Sequence, residues 1–173
     1  MEAFSYWKTV VKDATNFLDQ FLALLQQTGI RYCVIGGQGV NAYAEPVVSL
    51  DLDIAVAIDD LDRLEPLLRE QYRVERFPHS LNVSSIGSDL RVQIQTDPRY
   101  SDFVSRAEPR VILGVSLPVA RIEDVLSGKI WAVEDPDRRA SKRQKDLADI
   151  ARLVESHPAL RERVPDEILK RLF

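Results

Sequence analysis

The segment SLDLDIAV, residues 49–56, constrains the fold most, because it is an apolar strand with two carboxylates at alternate positions. Successive strand side chains point to opposite faces, so Asp51 and Asp53 share one face while Leu52 and Ile54 share the other. Two like charges this close repel each other, and apolar surroundings remove their hydration. The pattern predicts a compensating cation, and Mg²⁺ held by carboxylates and substrate phosphates is the candidate that we favour. The alternative is an edge strand with one solvated face, and the two acids by themselves do not distinguish this strand from a metal site.

A glycine-rich turn precedes the acidic strand. Gly36, Gly37 and Gln38 stand where the predicted strand Arg31–Ile35 enters a short helix. Because a backbone without Cβ can approach a phosphate closely and helix-start amides attract anions, we expect these three residues to bind phosphate. The alternative is a tight turn that needs positive φ and no ligand, since a GG pair matches neither the P-loop nor the dinucleotide fingerprint. The order of turn and acidic strand predicts that both lie on neighbouring strands of one sheet.

The remaining patterns predict one α/β domain over residues 1–173, with a small mixed β-sheet flanked by helices and followed by C-terminal helices. The core is expected over about residues 30–120 and the C-terminal helical part over about residues 121–173. Residues 109–119 are expected to be irregular with one short strand. Helices are predicted at Tyr6–Gln27, from Asp59, at Arg121–Glu134 and at Ser141–Glu155, and further strands at Tyr72–Arg76, Leu81–Ile86 and Leu90–Thr96.

Composition narrows the class of protein. A lone Cys33 in an apolar run predicts a core thiol and a reducing compartment. The sequence has neither a signal pattern nor an apolar run of membrane-spanning length, so we expect a cytoplasmic protein with no membrane partner. A net charge of -4 argues against nucleic-acid binding by the whole surface. Any site for a polyanion must therefore be local.

A local cluster of positive charge occurs at residues 138–145, where five of eight residues are cationic. Ser141 and Gln144 fit a capping box, which puts Lys142 and Arg143 in the first helical turn, where cations oppose the helix dipole. A docked triphosphate or RNA backbone would explain them. The alternative is a solvated face with Lys142–Asp146 and Lys145–Asp149 ion pairs at i,i+4.

Lys129 differs from that cluster because it lies in a mainly apolar helical segment. A charge in such a place needs a partner, which Asp51, Asp53 or a substrate phosphate would provide; a snorkelling side chain is the alternative. Asp146 and Asp149 share a helix face and are candidates to orient Lys129 or Lys145.

Two segments carry a family resemblance. GGQGVNAY followed by SLDLDIAV resembles the glycine turn and acidic strand of minimal nucleotidyltransferases of the polymerase-β-like superfamily. GKIWAVEDPDRRASKRQKDLADIARLVE is similar to the K…K-D-x-x-D region of the AbiEii-type toxin branch. The resemblance covers about Ile30 to Glu155, and its second segment indicates the toxin branch of the superfamily.

The resemblance implies transfer of a nucleoside monophosphate from an NTP to an acceptor hydroxyl, with Mg²⁺ or Mn²⁺ on the acidic strand. It places catalytic roles on Asp51, Asp53, Lys129 and Asp146, and the binding of nucleotide phosphate on Lys145. In the toxin branch, acceptors include the 3′ ends of tRNA, and an antitoxin protein restrains the activity. We therefore expect an enzyme with NTP, RNA or another macromolecule, and an antitoxin as partners.

One strand departs from that family. The superfamily supplies a third carboxylate from a later strand, but LRVQIQT carries Gln93 and Gln95 there. A neutral amide cannot accept the acceptor's proton, although the carbonyl oxygen of Gln93 can still bind a metal. Asp97 is a substitute, yet Thr96-Asp97-Pro98 is typical of a turn.

Two alternatives are open. The departure at Gln93 favours a catalytically degenerate protein that binds nucleotide or a partner. The resemblance in the glycine turn and acidic strand also extends to small-molecule, antibiotic-type nucleotidyltransferases. The cationic cluster argues against the second, because a small acceptor does not require so much positive charge.

Overall fold

A seven-stranded mixed sheet organises the chain in the computed structural model, which describes residues 12–112 and 114–173. Short 3₁₀ turns at Pro98–Tyr100 and Pro158–Arg163 supplement the regular elements. In chain order these elements are α1 (Phe17–Gln27), β1 (Tyr32–Ile35), α2 (Gly36–Asn41), β2 (Asp51–Val56), α3 (Ile58–Gln71), β3 (Arg73–Phe77), β4 (Ser80–Ser84), β5 (Arg91–Gln95), α4 (Ser101–Arg106), β6 (Glu108–Ile112), β7 (Val115–Val119), α5 (Ile122–Glu134), α6 (Ala140–Ser156) and α7 (Asp166–Leu172).

The strands are ordered β3-β4-β5-β2-β1-β7-β6 across the sheet. β1 runs antiparallel to β2 and parallel to β7, while β2 runs parallel to β5. Antiparallel pairs β3–β4, β4–β5 and β6–β7 complete the two wings. The predicted α/β class, with a mixed sheet and flanking helices, is confirmed. Among the described residues, no helix has both the length and the apolar character needed to cross a bilayer.

The alternation along β2 sorts its side chains between two hydrophobic clusters. Leu52 and Ile54 belong to the cluster that also contains the buried faces of α1 and α3. Ala55 belongs to the second cluster, together with Cys33 and buried residues of α5 and α6. Because strand side chains alternate, the acids of β2 lie on the face that α5 and α6 cover. The fold thus places both carboxylates under helices rather than on a solvated sheet face.

The first helix begins later than its apolar period predicts. Residues 6–11 of the predicted helix lie outside the described residues, and residues 12–16 are not helical. Asn16 has a φ of 55°, and the carboxylate of Asp13 accepts hydrogen bonds from the amides of Phe17 and Leu18. The boundary is set by this carboxylate, which satisfies first-turn amides from outside the helix.

Two further predictions of local structure were wrong. Residues 109–119 lie largely in strands β6 and β7, which form an antiparallel hairpin in which Pro109 is the register partner of Pro118. The capping box is absent, since α6 begins at Ala140 and its first residues have no side-chain cap. Lys142 nevertheless lies in the first turn of α6, as predicted.

Candidate active site

The glycine turn and the acidic strand are in direct contact. Ile35, the last residue of β1, pairs with Asp53, and Gly36 follows with a φ of 63°. A Cβ added to Gly36 would lie 2.2 Å from Oδ2 of Asp53. Glycine is therefore required twice, once for the left-handed backbone and once for the approach of the carboxylate.

The two predicted carboxylates have different surroundings. Oδ1 of Asp51 lies 2.9 Å from Nε of Arg91, and Oδ2 lies 3.7 Å from Nζ of Lys142. Burial raises the pKa of Asp53 to about 6; the positive charge of Lys129 opposes this rise and the negative charge of Asp51 adds to it. Asp51 is thus held as a paired anion, while Asp53 sits where a further positive charge would stabilise its ionised form.

Lys129 is paired with acids of α6. Its Nζ lies 2.9 Å from Oδ1 of Asp146 and 2.7 Å from Oδ2 of Asp149. Burial lowers the pKa of Lys129, but the two carboxylates outweigh this effect and the pKa is raised. Arg138 reaches the other oxygen of Asp146 at 2.7 Å. The cluster fixes α5 to α6 and leaves Lys129 as a buried cation that acts on Asp53 through its field.

The other predicted site residues differ in their distance from Asp53 and in their exposure. Gln93 is the cross-strand neighbour of Asp53 and lines the same cavity. Lys145 is exposed at the mouth of a second cavity, which Gly37 also lines. Gln38 is buried, with 1% of its surface exposed, and its Oε1 accepts a hydrogen bond from Asn41. Only the backbone of Gln38 is consequently available for a phosphate.

Asp97 has a structural role. Its carboxylate accepts the backbone N–H of Arg99 at the start of the 3₁₀ turn and binds the guanidinium of the same residue. Hydrogen bonding by that guanidinium holds the pKa of Asp97 below its ordinary value. A carboxylate so strongly occupied is a poor base, so Asp97 does not replace the missing third acid.

Three connected cavities surround the acidic strand. A central cavity of about 90 Å³, which we call the junction, is lined by Gly36, Asp53, Gln93, Lys129 and Arg138. Asp53, Lys129 and Arg138 also line a cleft of about 230 Å³ on one side. We call this the basic cleft; its charged lining consists of Asp51, Asp53, Lys129, Arg138, Lys142, Lys145, Asp146, Asp149 and Arg152.

The third cavity is lined by residues of β4 and β5, which lie on the side of β2 away from β1 and the glycine turn, and it has a volume of about 820 Å³. It shares Gln93, Gln95 and Arg138 with the junction. We call it the amide cleft after the side chains of Asn82, Gln93 and Gln95. Asn82 escaped the sequence analysis, although the buried alternation of Leu81 and Val83 would have placed it on the Gln93 face.

The oxygen atoms around Asp53 fit a divalent cation that arrives with nucleotide. Within residues 12–112 and 114–173 no group of three or more His, Cys, Asp or Glu side chains could hold a metal by itself. Asp51 and Asp53 supply two carboxylates on one face, and the raised pKa of Asp53 means that a cation would relieve an unfavourable charge. Mg²⁺ commonly takes one or two carboxylates and completes its shell with phosphate and water.

Much of the cationic cluster at residues 138–145 is occupied within the protein. Arg138 binds Asp146, and Lys142 lies near Asp51. Arg143 donates to the backbone carbonyls of Val133 and Asp135. Three of the five cations are therefore engaged inside the fold, whereas Arg139 and Lys145 are exposed. The predicted i,i+4 partners of Lys142 and Lys145, Asp146 and Asp149, are bound by other cations.

Comparison with solved structures identifies the fold. The antibiotic-resistance factor ANT(2″)-Ia matches with a TM-score of 0.57 at 14% identity, covering 92% of this chain and 97% of that one. The lincosamide antibiotic adenylyltransferase LnuA matches with a TM-score of 0.54 at 12% identity, covering 82% and 99%. A nucleotidyltransferase-like protein from Paracoccidioides brasiliensis matches with a TM-score of 0.50 at 18% identity, covering 86% and 75%. The architecture is therefore that of nucleotidyltransferases.

Sequence comparison identifies the family. A search of the curated proteins returned no match. The sequence model of the family described as "Nucleotidyl transferase AbiEii toxin, Type IV TA system" matches residues 60–173, which include Lys129, Lys145 and Asp146 but begin after the acidic strand. This match covers more than half of the chain, so the protein belongs to the AbiEii nucleotidyltransferase toxin family.

Proposed function

We propose that this nucleotidyltransferase moves a nucleoside monophosphate from an NTP to an acceptor hydroxyl with a divalent cation, Mg²⁺ or Mn²⁺, held by Asp51 and Asp53. The observation that carries the proposal is the contact between Gly36 and Asp53, which brings a glycine turn against an acidic strand. Both residues border the junction between two clefts of different chemistry. A reaction that joins a nucleotide to a second substrate needs such an arrangement.

The basic cleft suits the nucleotide. Lys142 and Lys145 project from the first turn and a half of α6 toward the acids of β2, where they would neutralise triphosphate charge. Backbone amides of Gly36, Gly37 and Gln38 would contribute hydrogen bonds to phosphate. Val47 and Val48 are 55% and 54% exposed at the edge of the same cleft and offer apolar surface for a base.

The divalent cation would supply charge neutralisation at the transferred phosphoryl group, and Gln93 offers a carbonyl oxygen as a further ligand. Lys129 and Asp146, predicted as catalytic, would then position and polarise rather than transfer protons, because each is bound to the other. Asp53 would act as a ligand of the cation, because a bound positive charge stabilises its ionised form.

The test is incubation of the protein with each labelled NTP, Mg²⁺ and a set of acceptors that includes total tRNA. We expect one labelled product, and its loss in the Asp51→Asn/Asp53→Asn double variant. A matched control is Asp62→Asn/Glu70→Gln, which neutralises two exposed acids of α3 away from the clefts. Equal labelling by the double variant and the parent would refute the proposal.

A degenerate, binding-only function remains the second candidate because Gln93 stands where an acid is expected. Calorimetry distinguishes it, since nucleotide binding with Mg²⁺ but no turnover would favour the binder. The toxin role that the family description names is tested in cells by inducible expression. Growth arrest by the parent but not by the double variant, relieved by a co-expressed antitoxin protein, would support it.

A further inference from the structure

The position of the amide cleft suits an acceptor substrate. It meets the basic cleft at the junction beside Asp53, and Arg138 borders all three cavities. In phosphoryl transfer the attacking and leaving oxygens lie roughly in line on opposite sides of the phosphorus. If the cations of α6 hold the leaving pyrophosphate, the acceptor hydroxyl must approach from the other side. That side is the amide cleft.

The floor of the amide cleft is built for hydroxyl groups. Asn82 and Gln93 are neighbours on β4 and β5, and Gln93 is in turn the neighbour of Asp53 on β2. Side-chain amides both donate and accept hydrogen bonds, as a hydroxyl does. Oδ1 of Asn82 is buried and has no hydrogen-bond partner among the described residues. A buried acceptor without a partner is costly, and a donor from a ligand would remove that cost.

The rim of the amide cleft is acidic. Three exposed acids line the cleft: Glu134 at the end of α5, and Asp135 and Asp137 on the link to α6. These carboxylates border the same cavity as the amides. They would attract a positively charged ligand and repel phosphate groups.

The arginines of the amide cleft are already engaged. Arg99 is bound to Asp97 and lies over the ring of Trp131 at 4.5 Å, while Arg138 is bound to Asp146. Binding of an RNA backbone depends on cations that can neutralise phosphates. The lining of this cleft therefore favours a cationic ligand over a nucleic acid.

From this geometry we propose that the acceptor is a small polyhydroxylated molecule with protonated amines and that it binds in the amide cleft. The proposal rests on the proposed nucleotidyl transfer. The amines lie at the acidic rim, and hydroxyl groups bond to the amides of Asn82, Gln93 and Gln95. The reacting hydroxyl attacks the α-phosphorus, its proton passes to water, and pyrophosphate leaves toward α6. A volume of about 820 Å³ is within the usual range for small-molecule sites.

The test is titration of the full chain, without nucleotide, by the aminoglycoside kanamycin, the neutral trisaccharide maltotriose and a single-stranded RNA oligonucleotide. We expect kanamycin to bind at least tenfold more tightly than maltotriose. The Glu134→Gln/Asp135→Asn/Asp137→Asn variant should weaken kanamycin binding at least tenfold. The Asp62→Asn/Glu70→Gln/Glu162→Gln variant changes net charge equally at exposed positions elsewhere and should bind as the parent does.

Equal kanamycin affinity in the two triple variants would overturn the proposal, because attraction to the acidic protein as a whole would then explain the binding. RNA labelling without kanamycin binding would also overturn it while leaving the proposed transfer intact. A separate titration with ATP and Mg²⁺ isolates the proposed function. Absent nucleotide binding would refute that function, whereas kanamycin binding sensitive to the rim would still support the ligand class of the cleft.

Discussion

The two clefts that meet at Asp53 are both rich in charge, yet they differ in how that charge is satisfied. In the basic cleft, cations of α6 face the acids of β2, and Lys145 is exposed at the mouth. In the amide cleft Arg99 and Arg138 are already bound by acids, and within the described part of the chain the exposed charges without an acid or base partner are carboxylates. The first cleft can accept an anion and the second a cation.

This difference teaches that a cationic run in the sequence does not define a cationic surface. Arg138 and Arg143 belong to the same run as Lys145, but one is bound to Asp146 and the other to backbone carbonyls. Charges that are matched inside the fold attract little from outside. The location of unmatched charge, rather than its total, assigns a substrate to each side of the junction.

The largest expected effect comes from the residue that both clefts share. Asp53→Asn removes a cation ligand, and we expect the transfer rate to fall by about 10³-fold or more. Binding of kanamycin should change less than threefold, because the rim carboxylates remain. Steady-state kinetics and calorimetry on the same preparation check both statements. If the variant retained a tenth of the parent rate, Asp53 would not have the proposed role in the reaction.

The same substitution should stabilise the protein at neutral pH. Burial raises the pKa of Asp53 from 3.8 to about 6, so between these pH values the native state holds a proton that the unfolded state has released. Its contribution to stability therefore falls as pH rises through this window. Asp53→Asn should gain about 2–3 kcal/mol at pH 7 and little at pH 4. Urea unfolding at the two pH values, compared with the parent, measures the difference.

Lys129→Met tests the ion cluster beneath the junction. The substitution leaves Asp146 and Asp149 buried with less positive charge, and we expect a loss of about 3 kcal/mol in the free energy of unfolding. Lys170→Met is the control, because Lys170 pairs with Glu167 on the surface and should cost less than about 0.5 kcal/mol. Asp146→Asn combined with Lys129→Met should recover part of the loss. Denaturant titration measures these free energies of unfolding. Equal stability of the Lys129→Met and Lys170→Met variants would contradict the prediction.

The sequence was sufficient to predict that the glycine turn and the acidic strand are neighbours. Both are local signals, and they correctly indicated neighbouring strands of one sheet. These signals depend on a spacing of 2 along a strand and on the backbone freedom of glycine, which need no knowledge of distant contacts. The toxin branch was indicated by the later segment that contains Lys129 and Asp146.

The partners of the charged residues could be predicted only as alternatives. Asp146 and Asp149 were candidates to orient Lys129, beside the acids of β2 and a substrate phosphate, and the packing of α5 on α6 selects Asp146 and Asp149. The β6–β7 hairpin was missed because prolines at 109 and 118 lower the expectation of a strand, whereas the pairing places them opposite each other. Contacts set by tertiary packing leave no periodic signal in a single sequence.

Gly36→Ala is expected to have an intermediate effect. The left-handed backbone at this position costs an alanine about 1–2 kcal/mol, and its Cβ would displace the carboxylate of Asp53. Stability and transfer rate should both fall. Gly29→Ala is a matched control, since Gly29 also has a positive φ of 66° but no atom lies within 4 Å of its added Cβ. Equal effects of the two substitutions on the transfer rate would show that contact with Asp53 is unimportant.

The smallest effect separates the two clefts most directly. Lys145 is exposed and makes no ion pair within residues 12–112 and 114–173. Lys145→Met should therefore leave the stability of the protein unchanged. It should weaken nucleotide binding about tenfold, which is equivalent to about 1.4 kcal/mol. Lys142→Met should weaken it less, because Lys142 already lies near Asp51 and its removal also frees that acid for a cation. Neither substitution should alter kanamycin affinity, and the Lys145 effect should shrink at high salt. If Lys145→Met changed amine binding and left nucleotide binding intact, the substrates would be assigned to the wrong clefts.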